Sequence, residues 1–142
     1  MRGYRNYTNY KPAISIEDRV VSGLSFLSYG LIGFIWIIVS HIRGKSLSSF
    51  ARFHIFQSIM FFIGVYVITL ILNIFLGFVQ IMPFIGSIVA NIVYYTSEYP
   101  LVLDLPLTTF LVQAVAVYMA VFSFLGKYAE LPKLSDYVRQ MV

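Results

Sequence analysis

FHIFQSIMFFIGVYVITLILNIFLGFVQIMPFIGSIVANIVYYTS, residues 53–97, contains no Asp, Glu, Lys or Arg. A helix needs about 20 mostly apolar residues to cross about 30 Å of hydrocarbon, so this stretch is long enough for two crossings. Its natural break is GFVQIMPFIG, residues 77–86, where Gly77, Pro83 and Gly86 punctuate a helix and Gln80 interrupts the apolar run. The expected helices are residues 53–76 and a shorter one over 84–96. The shorter one is either a tilted span or a re-entrant hairpin with the end of the helix before it. A re-entrant segment needs protein around it, because lipid cannot satisfy an exposed backbone.

Two further apolar runs flank this stretch. Residues 20–40 are closed by the basic cluster His41, Arg43 and Lys45, and residues 107–126 follow the Pro-rich loop SEYPLVLDLP. The predicted fold class is therefore all-α: a polytopic membrane helix bundle of four transmembrane helices with short interfacial helices. Residues 1–19 form a polar, tyrosine-rich tail, 20–126 the membrane domain, and 127–142 an interfacial amphipathic segment. The first run is as long as a full span and lacks a small-x-small cleavage site, so it is expected to be a retained anchor rather than a signal peptide. No Ser/Arg-rich transit leader is expected either.

Composition supports lipid as the solvent. Apolar residues make up 59% of the 142 and charged residues only 11%, where soluble domains carry about 25% charged residues. A chain this small has too little interior to hide that much apolar surface from water. There is no cysteine, which excludes disulfides and thiolate metal sites. The net charge of +4 comes from residues outside the apolar runs, so it speaks to topology and lipid headgroups, with no nucleic-acid partner expected. With four crossings, Arg2, Arg5, Lys11, Arg19, Lys127, Lys133 and Arg139 share one side, and Arg43, Lys45 and Arg52 the other. That majority is expected to place both termini in the cytoplasm.

Helices in lipid associate through small residues and side-chain hydrogen bonds. Thr109, Gln113, Ala116, Ala120 and Ser123 recur at spacings of four, three, four and three on one helical face. Ser22, Ser25, Tyr29, Gly33 and Ser40 form a similar stripe, and His54, Ser58, Thr69 and Asn73 fall within an arc of about 100°. These stripes read as helix-packing seams; a polar path through the bundle is the other reading. No Asp, Glu, Lys or Arg sits inside a span, which argues against a pump or coupled transporter. His41 and His54 have no carboxylate or cysteine at ligand spacing, and neither a phosphate loop nor a nucleophile motif occurs. Glu98 and Asp104 read as a solvated turn. No catalytic residue, metal or cofactor is expected.

The segment SFARFHIFQS, residues 49–58, puts Arg52, His54 and Gln57 among phenylalanines. Arg52 and His54 project about 200° apart on a helix, so they do not converge unaided. Arg52 can snorkel to the headgroups, and Leu47, Phe50 and Phe53, spaced by three, suggest that residues 46–53 lie along the interface. The segment is read as an interfacial anchor, with Arg52→Ala expected to impair assembly more than His54→Asn. His54 and Gln57 share a face that meets a partner, a pore or the chain's own bundle, with a partner helix the expected one. At the other end, Pro132 is expected to break the last helix and Ser135 to cap a short new one. Leu131, Leu134, Val138 and Met141 form its apolar stripe, opposed by Lys133, Asp136 and Arg139, and docked on the bundle or the membrane surface.

Together these segments resemble the Tic20 family, membrane components of protein import in the chloroplast inner envelope with bacterial relatives. SSFARFHIFQSIMFF is similar to the family's helix-entrance stretch through Phe50, Arg52, Phe53 and Gln57, with His54 where the family usually has Asn. LGKYAELPKLSDYVRQMV is similar to the family's closing stretch through Gly126, Lys127, Tyr128, Pro132, Ser135, Val138 and Gln140. The long proline-containing hairpin that precedes the first stretch in the family is reduced here to a single expected helix, as in small bacterial Tic20-like proteins. The resemblance implies four helices with both termini on the stromal or cytoplasmic side of a plastid inner envelope or bacterial inner membrane. It also implies a subunit of a protein-translocation assembly, partnered by the lipid bilayer and by other membrane subunits or copies of itself. A homo-oligomeric solute channel and a structural membrane protein are the alternatives.

Overall fold

The computed structural model describes residues 14–129, 131 and 133–141. Six helices follow in order: α1 (Ile16–Leu27), α2 (Leu31–Ile42), α3 (Ser49–Gln80), α4 (Ile85–Val93), α5 (Leu107–Phe124) and α6 (Leu134–Met141). A π-helical turn over Tyr94–Glu98 extends α4, and a two-stranded antiparallel ribbon, β1 (Pro100–Val102) and β2 (Leu105–Pro106), leads into α5.

The expected first span, residues 20–40, is not one helix. Ser15 caps α1, its Oγ accepting from Asp18 N at 3.1 Å. Glu17 and Asp18 lie in the first turn, where the helix dipole favours acidic side chains. The helix closes at Tyr29 and Gly30: Gly30 N donates to Ser25 O at 2.7 Å and Tyr29 N to Phe26 O at 3.4 Å, the paired bonds of a Schellman stop. Tyr29 adopts φ 56°, a left-handed conformation that costs a non-glycine residue about 1 kcal/mol or more. Its ring packs on Phe62 at 4.6 Å and its hydroxyl accepts from Gln113 Nε2, which holds the turn. Ser28 Oγ then accepts from Ile32 N at 3.0 Å and starts α2.

α2 folds back along α1. Gly33 lies against Ser25, and Val21 shares an apolar cluster with Trp36 and Ile37, so both sets straddle Tyr29. A side chain at Gly33 would collide with Ser25 and with Ile55 of α3, so this close approach requires glycine. Each helix of the hairpin has 12 residues, about 18 Å, too short to cross about 30 Å.

Among the described residues two helices, α3 with 32 residues and α5 with 18, are long and apolar enough to cross a membrane. They match the expected spans 53–76 and 107–126. The expected span 84–96 is instead the nine-residue α4 and its π turn. Four crossings are therefore replaced by two long helices, one short helical hairpin and one short return helix. The loop before α5 is more ordered than expected: Leu103 and Asp104 both take positive φ, the turn geometry that closes a two-residue β-hairpin.

The core sits at one end, here called proximal. Val21, Ala51 and Ile55 form one buried cluster, and Phe26, Met119, Ala120 and Ala129 a second. α1 runs antiparallel to α5, with Gly23 under the Phe124 ring, Phe26 against Met119 and Ala120, and Tyr29 at Gln113. The hairpin thus enters beside the start of α3 and the end of α5, and turns back at Phe62. That position is about 20 Å along α3 at 1.5 Å per residue. Beyond it α3 is bare, with every residue from 66 to 75 exposed.

Candidate functional site

The start of α3 and the segment after α5 meet in space. α3 begins at the Ser48 cap, whose Oγ accepts from Ala51 N at 3.2 Å, and its first turns bury Phe50, Phe53, His54 and Gln57. α5 ends at Gly126, φ 69°, where Lys127 N donates to Phe122 O at 2.9 Å and Gly126 N to Ser123 O at 3.0 Å. Gly126 therefore stops this helix, six residues before Pro132, the expected breaker, which lies outside the described residues. The reversal brings Tyr128 over the start of α3. Its ring stacks on His54 at 5.7 Å and meets Phe50 and Phe53 edge-on, each at 5.2 Å.

His54 is fully buried. Phe50, Phe53 and Phe26 surround its ring at 4.4, 5.3 and 6.1 Å, and its Nδ1 lies 3.1 Å from Ser123 Oγ. One turn on, Gln57 Nε2 donates to Ala129 O at 3.2 Å and to Ser135 Oγ at 2.9 Å. Ser135 Oγ also accepts from Leu131 N at 2.7 Å. One carboxamide thus ties α3 both to the segment after α5 and to α6. A second buried polar pair joins the hairpin to α3: Ser25 and Ser58 Oγ are 2.5 Å apart, and Ser58 donates to Ile55 O at 2.8 Å.

His54 and Gln57 were expected to face a partner helix; they face α5, α6 and the segment between them. Phe50 and Phe53 were expected to lie in an interface and are instead 3% exposed, because the C-terminal segment folds over them. Arg52 stands apart from this cluster, half-buried on another face of α3. Ser135 is buried but does not cap α6, since the amide it bonds is Leu131 N. Val138 is buried, whereas Lys127 and Gln140 are exposed. The amphipathic α6 docks on the bundle. Arg139 stands over the Phe53 ring at 6.0 Å, and with Ser49, Phe53 and Tyr128 it lines a shallow pocket there.

The α5 stripe divides. Ala116, Ala120 and Ser123 are buried and Gln113 holds Tyr29, while Thr109 is exposed. Its proximal part is a seam because α1 covers it; α1 stops before reaching Thr109. Likewise Ser22, Ser25 and Gly33 are buried, while Thr69 and Asn73 are exposed on α3. Sequence reasoning missed that Tyr29–Gly30 is a turn. The signal was present, since Gly30 sits mid-run, but an unbroken apolar count outweighed it.

Chemically the cluster is a clasp. His54 Nδ1 pairs with Ser123 and Gln57 Nε2 donates to Ala129 O and Ser135, while His54 Nε2 and Gln57 Oε1 are buried without a partner among the described residues. Among those residues no three His, Asp or Glu side chains gather where they could hold a metal ion. The chain matches no protein-family model, no curated protein and no solved structure.

Proposed function

We propose that this protein is an integral membrane subunit of a protein-translocation assembly, related to the Tic20 family, acting through helix packing against partner subunits. The observation that carries the reading is the clasp. The two segments resembling the family, joined through Gln57 to Ala129 and Ser135, close on each other as one buried unit. Segments far apart in sequence that build one packing site account for a shared pattern at both.

The accompanying topology is two full crossings, α3 and α5, with α1–α2 as a re-entrant hairpin. Its charge distribution supports it. Arg19, Arg43, Lys45, Arg52, Lys127, Lys133 and Arg139 all fall at the proximal end, and chain order adds Arg2, Arg5 and Lys11. All ten Lys and Arg residues then share one side, against seven and three for four crossings, and the distal loops carry only Glu98 and Asp104. The positive-inside rule makes that side cytoplasmic or stromal, in a bacterial inner membrane or plastid inner envelope. Tyr94, Tyr95 and Tyr99, whose rings pack together, suit the opposite headgroup layer.

A pore inside one chain is disfavoured. Ser25, Ser58 and Ser123, the residues that would line it, are buried and engaged in bonds to neighbouring helices or their own. The test is extraction in mild detergent followed by copurification. Recovery with other membrane proteins that also crosslink to a translocating chain is the expected result. Recovery of this chain with only copies of itself overturns the translocation role.

A further inference from the structure

Asn73 has an unusual position. It lies on α3 within LILNIFL, residues 70–76, and no charged residue occurs between Arg52 and Glu98. Its side chain is exposed, and it makes no hydrogen bond among the described residues. An unpaired carboxamide in hydrocarbon is costly, and polar side chains on membrane helices find partners across helix interfaces. Asn73 also lines a shallow groove with Tyr66, Thr69, Leu70 and Ile74, so these side chains converge on one face. Thr69 is already satisfied, donating to Val65 O at 2.8 Å; Asn73 is not.

We propose that this face of α3 is a self-association surface, on which two copies of the chain pair in the membrane with Asn73 opposite Asn73. The proposal rests on membrane residence and is independent of the translocation role. Copies in one bilayer share an orientation, so the two-fold axis relating them runs along the membrane normal and sets identical residues against each other. Asparagine suits that symmetry because its amide both donates and accepts, and two such groups satisfy each other. Tyr66, Asn73 and Gln80 recur every seven residues, the repeat that keeps one seam facing its partner in a left-handed helix pair. Gly77, beside that seam, has open space where a side chain would stand, which permits close approach of a second backbone. Lipid alone would leave the amide without a partner.

The absence of cysteine makes the test direct. Single-cysteine variants of the full chain are oxidised in native membranes. Tyr66→Cys, Leu70→Cys and Gly77→Cys are expected to form disulfide-linked dimers, whereas Ile68→Cys and Ile71→Cys, on the opposite face, do not. Adding Asn73→Leu to Leu70→Cys lowers the dimer association constant by about 3- to 20-fold, the worth of an interhelical polar bond in a membrane; Asn73→Gln retains dimer. Equal crosslinking on both faces, no dimer on either, or crosslinks only to a protein of different mass overturns the proposal. Retention in carbonate-washed membranes distinguishes a failed dimer from a failed membrane assignment. Copurification with translocation partners is read separately.

Discussion

His54 and Arg52 show how two neighbouring residues with similar sequence credentials acquire different roles. Both interrupt an apolar run, and helix geometry separates them by about 200°. The side facing Phe26, Phe50, Phe53 and Tyr128 becomes interior, so His54 is 0% exposed; Arg52 stays half-buried. For thermal stability, burial therefore makes His54 the more sensitive position. His54→Ala empties a ring-lined site and is expected to destabilise the protein by about 2–4 kcal/mol, whereas Arg52→Ala is expected to cost about 1 kcal/mol or less. Thermal unfolding in detergent measures both. A larger loss for Arg52→Ala restores the anchoring role and removes the clasp as the main function of this segment. The polarity of residue 54 was legible in the sequence. Its burial was not, because the rings that bury it come from three separate segments.

At the scale of elements, the α1–α2 hairpin is the largest departure from expectation. Its apolar run has the length and composition of a span, and composition carries no information about where a chain reverses. Three local features make the reversal: the Schellman bonds at Tyr29 and Gly30, the Ser28 hydroxyl on Ile32 N, and Gly33 in contact with Ser25 and Ile55. Gly33→Val is expected to force α2 away from α1 and α3, at about 1–3 kcal/mol for an overpacked contact. Protease access in proteoliposomes reports it, as faster cleavage after Arg43 and Lys45 with cleavage after Lys133 unchanged. Unchanged cleavage throughout would mean that the hairpin is not held by this contact. α3 and α5 were legible as elements because each is a long apolar helix with a Ser cap or a preceding Pro. α4 was legible as short but not as extended by a π turn.

For the whole molecule, the hairpin changes which side of the membrane each loop is expected to occupy. Under four crossings Lys45 and Lys133 lie on opposite sides; under two crossings with a re-entrant hairpin they lie on the same side. Lys45→Cys, Lys133→Cys and Leu103→Cys, each made singly in the cysteine-free chain, separate these arrangements. An impermeant maleimide applied to sealed vesicles of known orientation is expected to label positions 45 and 133 from the same face and position 103 from the other. Labelling of 45 and 103 from a common face would restore four crossings. The same architecture divides the protein into a packed proximal half, where the hairpin fills the space beside α3 and α5, and a thin distal half, where α3 is bare from residue 66 to 75. Self-association belongs to that distal half because its polar side chains lie on an uncovered face, whereas His54, Gln57, Ser58 and Ser123 are enclosed inside the proximal bundle.

The sequence by itself determined the solvent and the helical class: 59% apolar residues with 11% charged leave too little polar surface for water, and runs of that length form helices in lipid. It also determined which faces carry polar residues, because helical period follows directly from spacing. Only the tertiary structure decided that the first run turns back at Tyr29, that Tyr128 and Ser135 close over the start of α3, and that Asn73 is left without a bond. Each depends on contacts between residues distant in sequence, and spacing within one segment is silent about which other segment will cover it. The stretch at residues 53–97 therefore announced helices correctly, while what covers its first ten residues came from segments distant in sequence.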